Sequence, residues 1–402
     1  VIPLDEARAH VLDRVRPLAP VRVPLVDAVG CVTAEAVAAG EPIPPFDNTA
    51  MDGYAVRAAD VAAATADDPT RLDVVASLAA GSGLRPEVGA GQAVRIMTGA
   101  PIPPGADAVV MVELTERDGD DGVLIREAVP PGNHIRPVGD DVAPGDVVVT
   151  EGTVLTSAHV GVLASVGRTD VLARRPPRVG VISTGDELVP APEPLAFGQI
   201  RDSNRPMLLA EVAANGFTPV DLGSVVDDED LLTKALADGA AACDAVVTSG
   251  GVSVGDYDLT KKVLDQLGDM TWMQIAIRPA KPFAFGLVAG TPVFGLPGNP
   301  VSALVSFELL ARPALRSMMG HTALDRPRVE AVADVAFPRR PDGKVHFVRV
   351  VAAYVHGAHH VTPVGGQGSH QLAAMAGANG LVVLADGDGV PAGATLPLIP
   401  LD

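Results

Sequence analysis

The sequence predicts a multidomain chain of α/β plus β class, in which a three-layer α/β/α sheet domain lies between β-rich modules. Three observations predict it. The length, 402 residues, exceeds what one core ordinarily serves. From about residue 176 to 325, β-type runs alternate with helical ones, the rhythm of a mainly parallel sheet covered on both faces. Before and after it, residues 70–140 and 326–402 carry short β-type runs between Gly/Pro turns.

Taken in order, residues 5–16 read as an amphipathic helix stopped by Pro17. Residues 40–48 form a Pro-rich linker. A compact, barrel-like β module follows, with strands at 72–77, 92–97, 108–114 and 122–128, and further candidates at 146–149 and 153–155. Thr156 and Ser157 cap a small-residue helix to about Val166. After the linker 174–177, strands are expected at 179–183, 220–225, 245–249 and 292–295. Helices are expected at 206–215 (capped by Asn204), 229–241 (capped by Asp227 or Asp228), 259–267 and from Val301, the last interrupted near Pro313. The C-terminal module has strand candidates at 329–337, 344–350, 381–384 and 394–397, and a short helix near 370–375.

Composition narrows the function. The net charge is −19 and aromatics are 3%, with one Trp. Neither nucleic acid nor an anionic membrane suits such a chain. Cys31 and Cys243 are the only cysteines, too few for a disulfide framework or a zinc site, so a cytoplasmic location is expected. No secretory signal is expected from the first residues, and no apolar run reaches membrane-spanning length. Dinucleotide, Walker A, nucleophile-elbow and HExxH motifs are absent.

The chemistry-bearing segments are loops at the expected carboxyl ends of strands, where ligands of open α/β sheets collect. Ser249-Gly250-Gly251-Val252-Ser253-Val254-Gly255 links an apolar strand to a helix, an arrangement whose N–H groups bind oxyanions. Asp256 and Asp258 follow at once, which suits an anion only with a metal ion between them. Thr184-Gly185-Asp186-Glu187 leaves another strand with two acids; Asp186 is equally suited to cap a turn. Gly295-Leu296-Pro297-Gly298-Asn299-Pro300 is a turn with an Asn cap and a Pro at the first helical position. Asp140 and Asp141 share a loop, solvated or holding a cation. Arg278 and Lys281, the Lys held extended between prolines, form a candidate anion clamp.

Six segments occur in order: Phe46–Val56 (with Met51-Asp52-Gly53-Tyr54), Thr98–Pro101, Thr184–Leu188, Asp202-Ser203-Asn204, Ser249–Gly255 and Gly295–Pro300. Together they resemble the MoeA family of molybdopterin molybdenumtransferases, to which the gephyrin E domain is related, essentially from end to end. The resemblance implies that molybdate and adenylylated molybdopterin are the substrates. The pyrophosphate bond is cleaved with Mg²⁺, and AMP and molybdenum cofactor are released. It implies a homodimer with shared active-site clefts and an upstream adenylyltransferase partner. It implies an extended linking domain (1–45 and 142–175), a β-rich barrel-like domain (46–141), an α/β molybdopterin-binding domain (176–325) and a C-terminal β domain (326–402).

Carried onto this chain, the catalytic acids are Asp52, Asp141, Glu187, Asp228 and Asp258, and the Mg²⁺ ligands Glu187, Asp256 and Asp258. Substrate contacts fall to Thr98, Thr184, Gly185, Asp186, Ser249, Gly250, Gly251, Ser253, Gly255, Pro297, Gly298 and Asn299. Molybdate falls to Arg278, Lys281 and Ser369. The chain departs from the family's Lys-Pro-Gly-Lys pattern at Arg278-Pro279-Ala280-Lys281, where Arg replaces a compact ammonium and Ala a free backbone. A nucleotide pyrophosphatase of CinA-like type, or a non-enzymatic scaffold, is the alternative.

Overall fold

A computed structural model describes residues 1–250 and 259–401. The chain forms two compact units, one of Val1–Val23, Gly30–Ala34 and Leu172–Asp402, the other of Pro24–Val29 and Glu35–Val171.

The larger unit is built on a six-stranded sheet. Its elements are β1 (Arg178–Thr184), α1 (Asn204–Ala214), β2 (Thr218–Val225), α2 (Glu229–Ala242), β3 (Ala245–Ser249), α3 (Leu259–Leu267), β4 (Gly268–Gln274), β5 (Pro282–Val288), β6 (Thr291–Leu296) and α4 (Pro300–Ser306). The strand order is β2-β1-β3-β6-β5-β4. The first four strands run parallel; β5 and β4 close the far edge antiparallel. The parallel strands match the sequence expectation. The β4–β5 hairpin is an addition to it and makes the sheet mixed.

Alternation along each strand separates two cores. Val179, Val181, Ala245, Val247 and Phe294 pack on Leu208 and Val212 of α1 and Val301 and Val305 of α4. Ile182, Val246 and Val293 pack on Leu232 and Leu236 of α2 and Val263 and Leu264 of α3. Each such aliphatic side chain contributes roughly 1.5–3 kcal/mol on burial. This is the three-layer α/β/α arrangement.

Two helix ends differ from expectation. The N-terminal helix spans Leu4–Leu12 and stops well short of Pro17. Asn204 is the first helical residue of α1 rather than its cap; Ser203 holds the cap position, and Asp202 Oδ1 accepts the Arg205 N–H at 3.2 Å. Residues 153–155 form no strand. The segment before β5 turns rather than running extended: Ala280 has φ +72°.

After α4 the helix passes through a π-turn, Phe307–Ala311, and resumes at Arg312–Met318. The π-turn carries buried Glu308, 3.1 Å from Arg326 Nε and 3.6 Å from Arg312 Nη1. Burial raises the Glu308 pKa despite both cations. Nearby, His321 is held neutral by burial and then by Arg316 and Arg312, with its pKa lowered to about 4. A depressed folded pKa gives stability that is present above the unfolded value of 6.5 and lost as pH falls through 4. His321→Gln is therefore expected to lessen the loss of unfolding free energy between pH 6.5 and 4. After discounting for partial exposure the effect is roughly 1–2 kcal/mol, read by urea titration at each pH. Parallel wild-type and variant profiles would contradict it.

The C-terminal strands close on themselves. In order they are Val345–Val355, Ala358–Pro363, Val329–Ala333, Thr395–Pro400 and Gly380–Leu384, and the last pairs back with the first. The result is a five-stranded barrel around Val350, Val361, Val382 and Leu398. Ile277–Arg278, from the segment before β5, adds to it in parallel beside Val345–His346. The short helix is Leu372–Ala376.

The smaller unit holds another six-stranded sheet: Ala108–Met111, Gly53–Val56, Gln92–Ile96, Thr70–Leu78, Gly122–Ile125 and Thr115–Asp118, in that order. Both its faces are buried, Tyr54, Val56 and Val110 on one and Ala55, Val94 and Val109 on the other. The helix Ser157–Ser165 starts at Thr156 with a capping box completed by His159.

Candidate active site

The carboxyl ends of β1, β3 and β6 open onto a cavity of about 100 Å³. It is lined by Thr184, Glu187, Ser249, Gly250 and Gly298 of the expected site, together with Ser183, Leu188, Ile200, Arg201, Asp202, Ser203, Asn204 and Pro300. Two of these strands deliver their last residue as a buried hydroxyl, Thr184 from β1 and Ser249 from β3, while β6 ends in buried Leu296. Thr184 Oγ1 lies 3.2 Å from Thr260 Oγ1 of α3.

The glycines serve close approach. Gly250 has φ +99°, which strains any side chain, and a Cβ there would stand a tight 3.0 Å from the Thr184 carbonyl oxygen. A Cβ on Gly185, at φ +143°, would meet the Glu187 carboxylate at 2.5 Å. Glu187 is exposed at the rim. Pro297 is buried beneath the turn, and Asn299 caps α4 without a side-chain bond, with Pro300 in its first turn.

Other expected site residues lie elsewhere or have structural work. Asp228 Oδ1 accepts the Leu231 N–H at 2.9 Å and so caps α2. Asp186 Oδ1 accepts the Asp227 N–H at 2.9 Å. Arg278 lines a separate cavity of about 530 Å³ with Arg339, Arg340, Asp342, His346 and Gln367. Lys281 is exposed. The Ser369 carbonyl accepts the Val301 N–H at 3.1 Å, which ties its loop to the start of α4. Gly251, Ser253, Gly255, Asp256 and Asp258 lie outside the described residues. Among the described residues, no group of three or more His, Cys, Asp and Glu side chains is placed to hold a metal.

In the smaller unit, Asp52 and Thr98 do meet. Asp52 Oδ1 accepts both the Thr98 hydroxyl and the Thr98 N–H at 2.7 Å. The hydroxyl bond, then the N–H bond, hold the Asp52 carboxyl below its usual range. Thr98→Val keeps the N–H and removes the hydroxyl, so the Asp52 titration followed by NMR is expected to move up in pH. An unmoved titration would dismiss the hydroxyl as its cause. Asp141 is exposed in its Gly/Pro loop.

Sequence reasoning missed two residues that organise the site. Asn204 belongs to the quoted Asp202-Ser203-Asn204 segment and was expected only to cap the helix at 206–215, with no role in the site. Arg349 sits in the strand Val345–Val355 and resembles any strand residue in the sequence, yet its side chain is buried and holds the loop that bears Ser369.

The fold and site define a multidomain protein with an α/β ligand-binding domain whose cleft mixes hydroxyls, close-packed glycines and a rim carboxylate. Three family descriptions match in order. They are "MoeA N-terminal region (domain I and II)" at residues 2–167, "Probable molybdopterin binding domain" at 180–317 and "MoeA C-terminal region (domain IV)" at 330–401. A Haemophilus influenzae protein named molybdopterin molybdenumtransferase is 38% identical, covering 100% of this chain and 99% of its own. A Mycobacterium tuberculosis protein named molybdopterin molybdenumtransferase 2 is 41% identical over 94% of each chain. A solved structure of the molybdopterin biosynthesis MoeA protein from Pyrococcus horikosii matches with a TM-score of 0.81 and 32% identity, covering 100% of this chain and 99% of that one. The chain belongs to the MoeA family.

Proposed function

We propose that the protein is a molybdopterin molybdenumtransferase, which transfers molybdenum from molybdate to adenylylated molybdopterin and releases AMP. The observation that carries this reading is the end-to-end likeness to relatives named for that activity, 38% identical over the whole chain in the Haemophilus influenzae case. The cavity suits it. Neutral donors at the ends of β1 and β3 receive phosphate or pterin oxygens without adding charge, while Glu187 stands at the rim.

Mg²⁺ fits this donor set in chemistry, since hard oxygen ligands prevail and Mg²⁺ uses few carboxylates plus substrate phosphates. Glu187, with Asp256 and Asp258, would hold it. Bound there, it offsets pyrophosphate charge in a chain of net charge −19. Asp52, Asp141 and Asp228 remain proposed catalytic acids, and Asp228 would act while also capping α2. Molybdate is assigned to Arg278, Lys281 and Ser369. A homodimer, an upstream adenylyltransferase, a cytoplasmic location and the four-domain division complete the reading. No helix among the described residues is long and apolar enough to cross a membrane.

The test combines purified protein, adenylylated molybdopterin, Mg²⁺ and molybdate. AMP is expected to appear above a no-protein control, and its absence would end this reading. Molybdate-independent cleavage of unrelated dinucleotides would instead indicate the pyrophosphatase alternative.

A further inference from the structure

Asp202 and Asn204 stitch the start of α1 across neighbouring strand ends. The Asp202 side chain is 2% exposed, and its carboxylate accepts the Ser183 hydroxyl at 2.6 Å at the end of β1. Arg205 holds the same carboxylate through Nε at 3.0 Å and reaches Asp221 of β2 with its Nη1. Asn204 Nδ2 donates to Ser249 Oγ at 2.8 Å, at the end of β3, and to the Gly298 carbonyl at 2.7 Å, just beyond β6. These are four consecutive strands of the sheet, β2-β1-β3-β6. Backbone pairing joins the last two as far as Gly250 N–H to Leu296 O at 3.2 Å, and the Asn204 side chain ties them together beyond that point. Across that bridge the loops nearly touch: a Cβ on Gly298 would lie 3.8 Å from Gly250 Cα. Asn204 Oδ1 is buried and has no hydrogen-bond partner among the described residues. The carboxamide thus works here through its two N–H donors.

We propose that Asn204 is a positioning residue for the transfer reaction: its carboxamide fixes the separation between the Ser249–Gly250 strand exit and the Gly298 turn, and so the width of the cleft. The proposal rests on the functional reading above. Two other roles make different predictions. If Asn204 served only to start α1, Asn204→Asp would be harmless or favourable, because a carboxylate in the first turn suits the helix dipole. If Oδ1 served only as an acceptor toward substrate, Asn204→Asp would preserve it and outperform Asn204→Ala. A spacing role predicts the reverse order. Asp removes both N–H donors and sets an oxygen against the Gly298 carbonyl, whereas Ala merely lets the loops relax.

The experiment compares steady-state AMP release by wild type, N204A, N204D, S249A and N204A/S249A. N204D is expected to raise KM for adenylylated molybdopterin at least tenfold and to turn over more slowly than N204A. A displacement of roughly 1 Å at such a site is enough for roughly a hundredfold loss. The double variant is expected to lose less than the product of the two single losses, since both substitutions break the same bond while Ser249 keeps a substrate contact of its own. N204D equal to or better than N204A, or additive effects in the double variant, overturns the proposal. Crystal structures of wild type and N204D give a readout independent of turnover, in which the Ser249–Gly298 separation is expected to widen. An unchanged separation overturns the proposal even if wild type releases no AMP, a result that by itself ends only the functional reading.

Discussion

Arg349→Met is expected to destabilise the protein by about 3 kcal/mol and to free the loop that carries Ser369. Arg349 is 1% exposed. Its guanidinium donates to Gly366 O at 2.8 Å, Gly368 O at 3.2 Å, Gln371 O at 3.3 Å and Gln367 Oε1 at 3.3 Å. Gln367 Nε2 returns a bond to the Arg349 carbonyl at 3.0 Å. Burial lowers the Arg349 pKa. The cation is satisfied by carbonyl dipoles, all from one short loop. Met fills the same length of apolar strand environment but leaves those acceptors without donors, and each buried unpaired group costs about 1–3 kcal/mol. Arg349→Lys keeps the charge yet cannot span the fork of acceptors, so it is expected to recover only part of the loss. Urea unfolding measures both, and a wild-type midpoint for Arg349→Met would refute the account. Because the Ser369 carbonyl also receives the Val301 N–H, a freed loop unpairs the start of α4.

The parallel strands β1 and β3 were legible because each is a short apolar run that ends in Ser or Thr, as in Ala245–Ser249. A strand buried on both faces needs no alternation, and its polar exit residue marks where the ligand edge begins. The Gly268–Val288 hairpin was not legible. Its first strand carries Asp269, Thr271 and Gln274, and its pairing with Pro282–Val288 depends on a partner strand rather than on local pattern. Ala358–Pro363 escaped for a similar reason: His359 and His360 break the apolar run, and the strand is held by its register against Val350–Val355. In the site, residue types were readable but company was not. Arg278 and Ser249 both fall in the segment expected to form the α/β domain, yet they line different cavities, because Ile277–Arg278 pairs with Val345–His346 of the barrel. Asp227 and Asp228 could not be separated by sequence as caps, and only the bond to the Leu231 N–H chooses Asp228.

That capping bond makes Glu187 and Asp228 a useful contrast for the largest expected loss of activity. Glu187→Gln is expected to lower AMP release roughly a hundredfold or more, the scale of removing a carboxylate that moves a proton or holds a cation at the reacting group. Its carboxylate is exposed at the rim of the cavity, so the stability change is expected to stay within about 0.5 kcal/mol. If Glu187 helps hold Mg²⁺, the concentration of Mg²⁺ needed for half-maximal rate rises in the same variant; a uniform rate loss at unchanged Mg²⁺ demand would assign it to substrate or proton instead. Asp228→Asn conserves the cap, since Asn and Asp serve that position about equally. A loss of turnover in Asp228→Asn at unchanged melting therefore reports the missing charge. Asp228→Ala would mix that loss with about 1 kcal/mol of cap energy. Wild-type turnover in Asp228→Asn would leave Asp228 as the cap of α2 alone, and wild-type turnover in Glu187→Gln would remove the rim carboxylate from the chemistry.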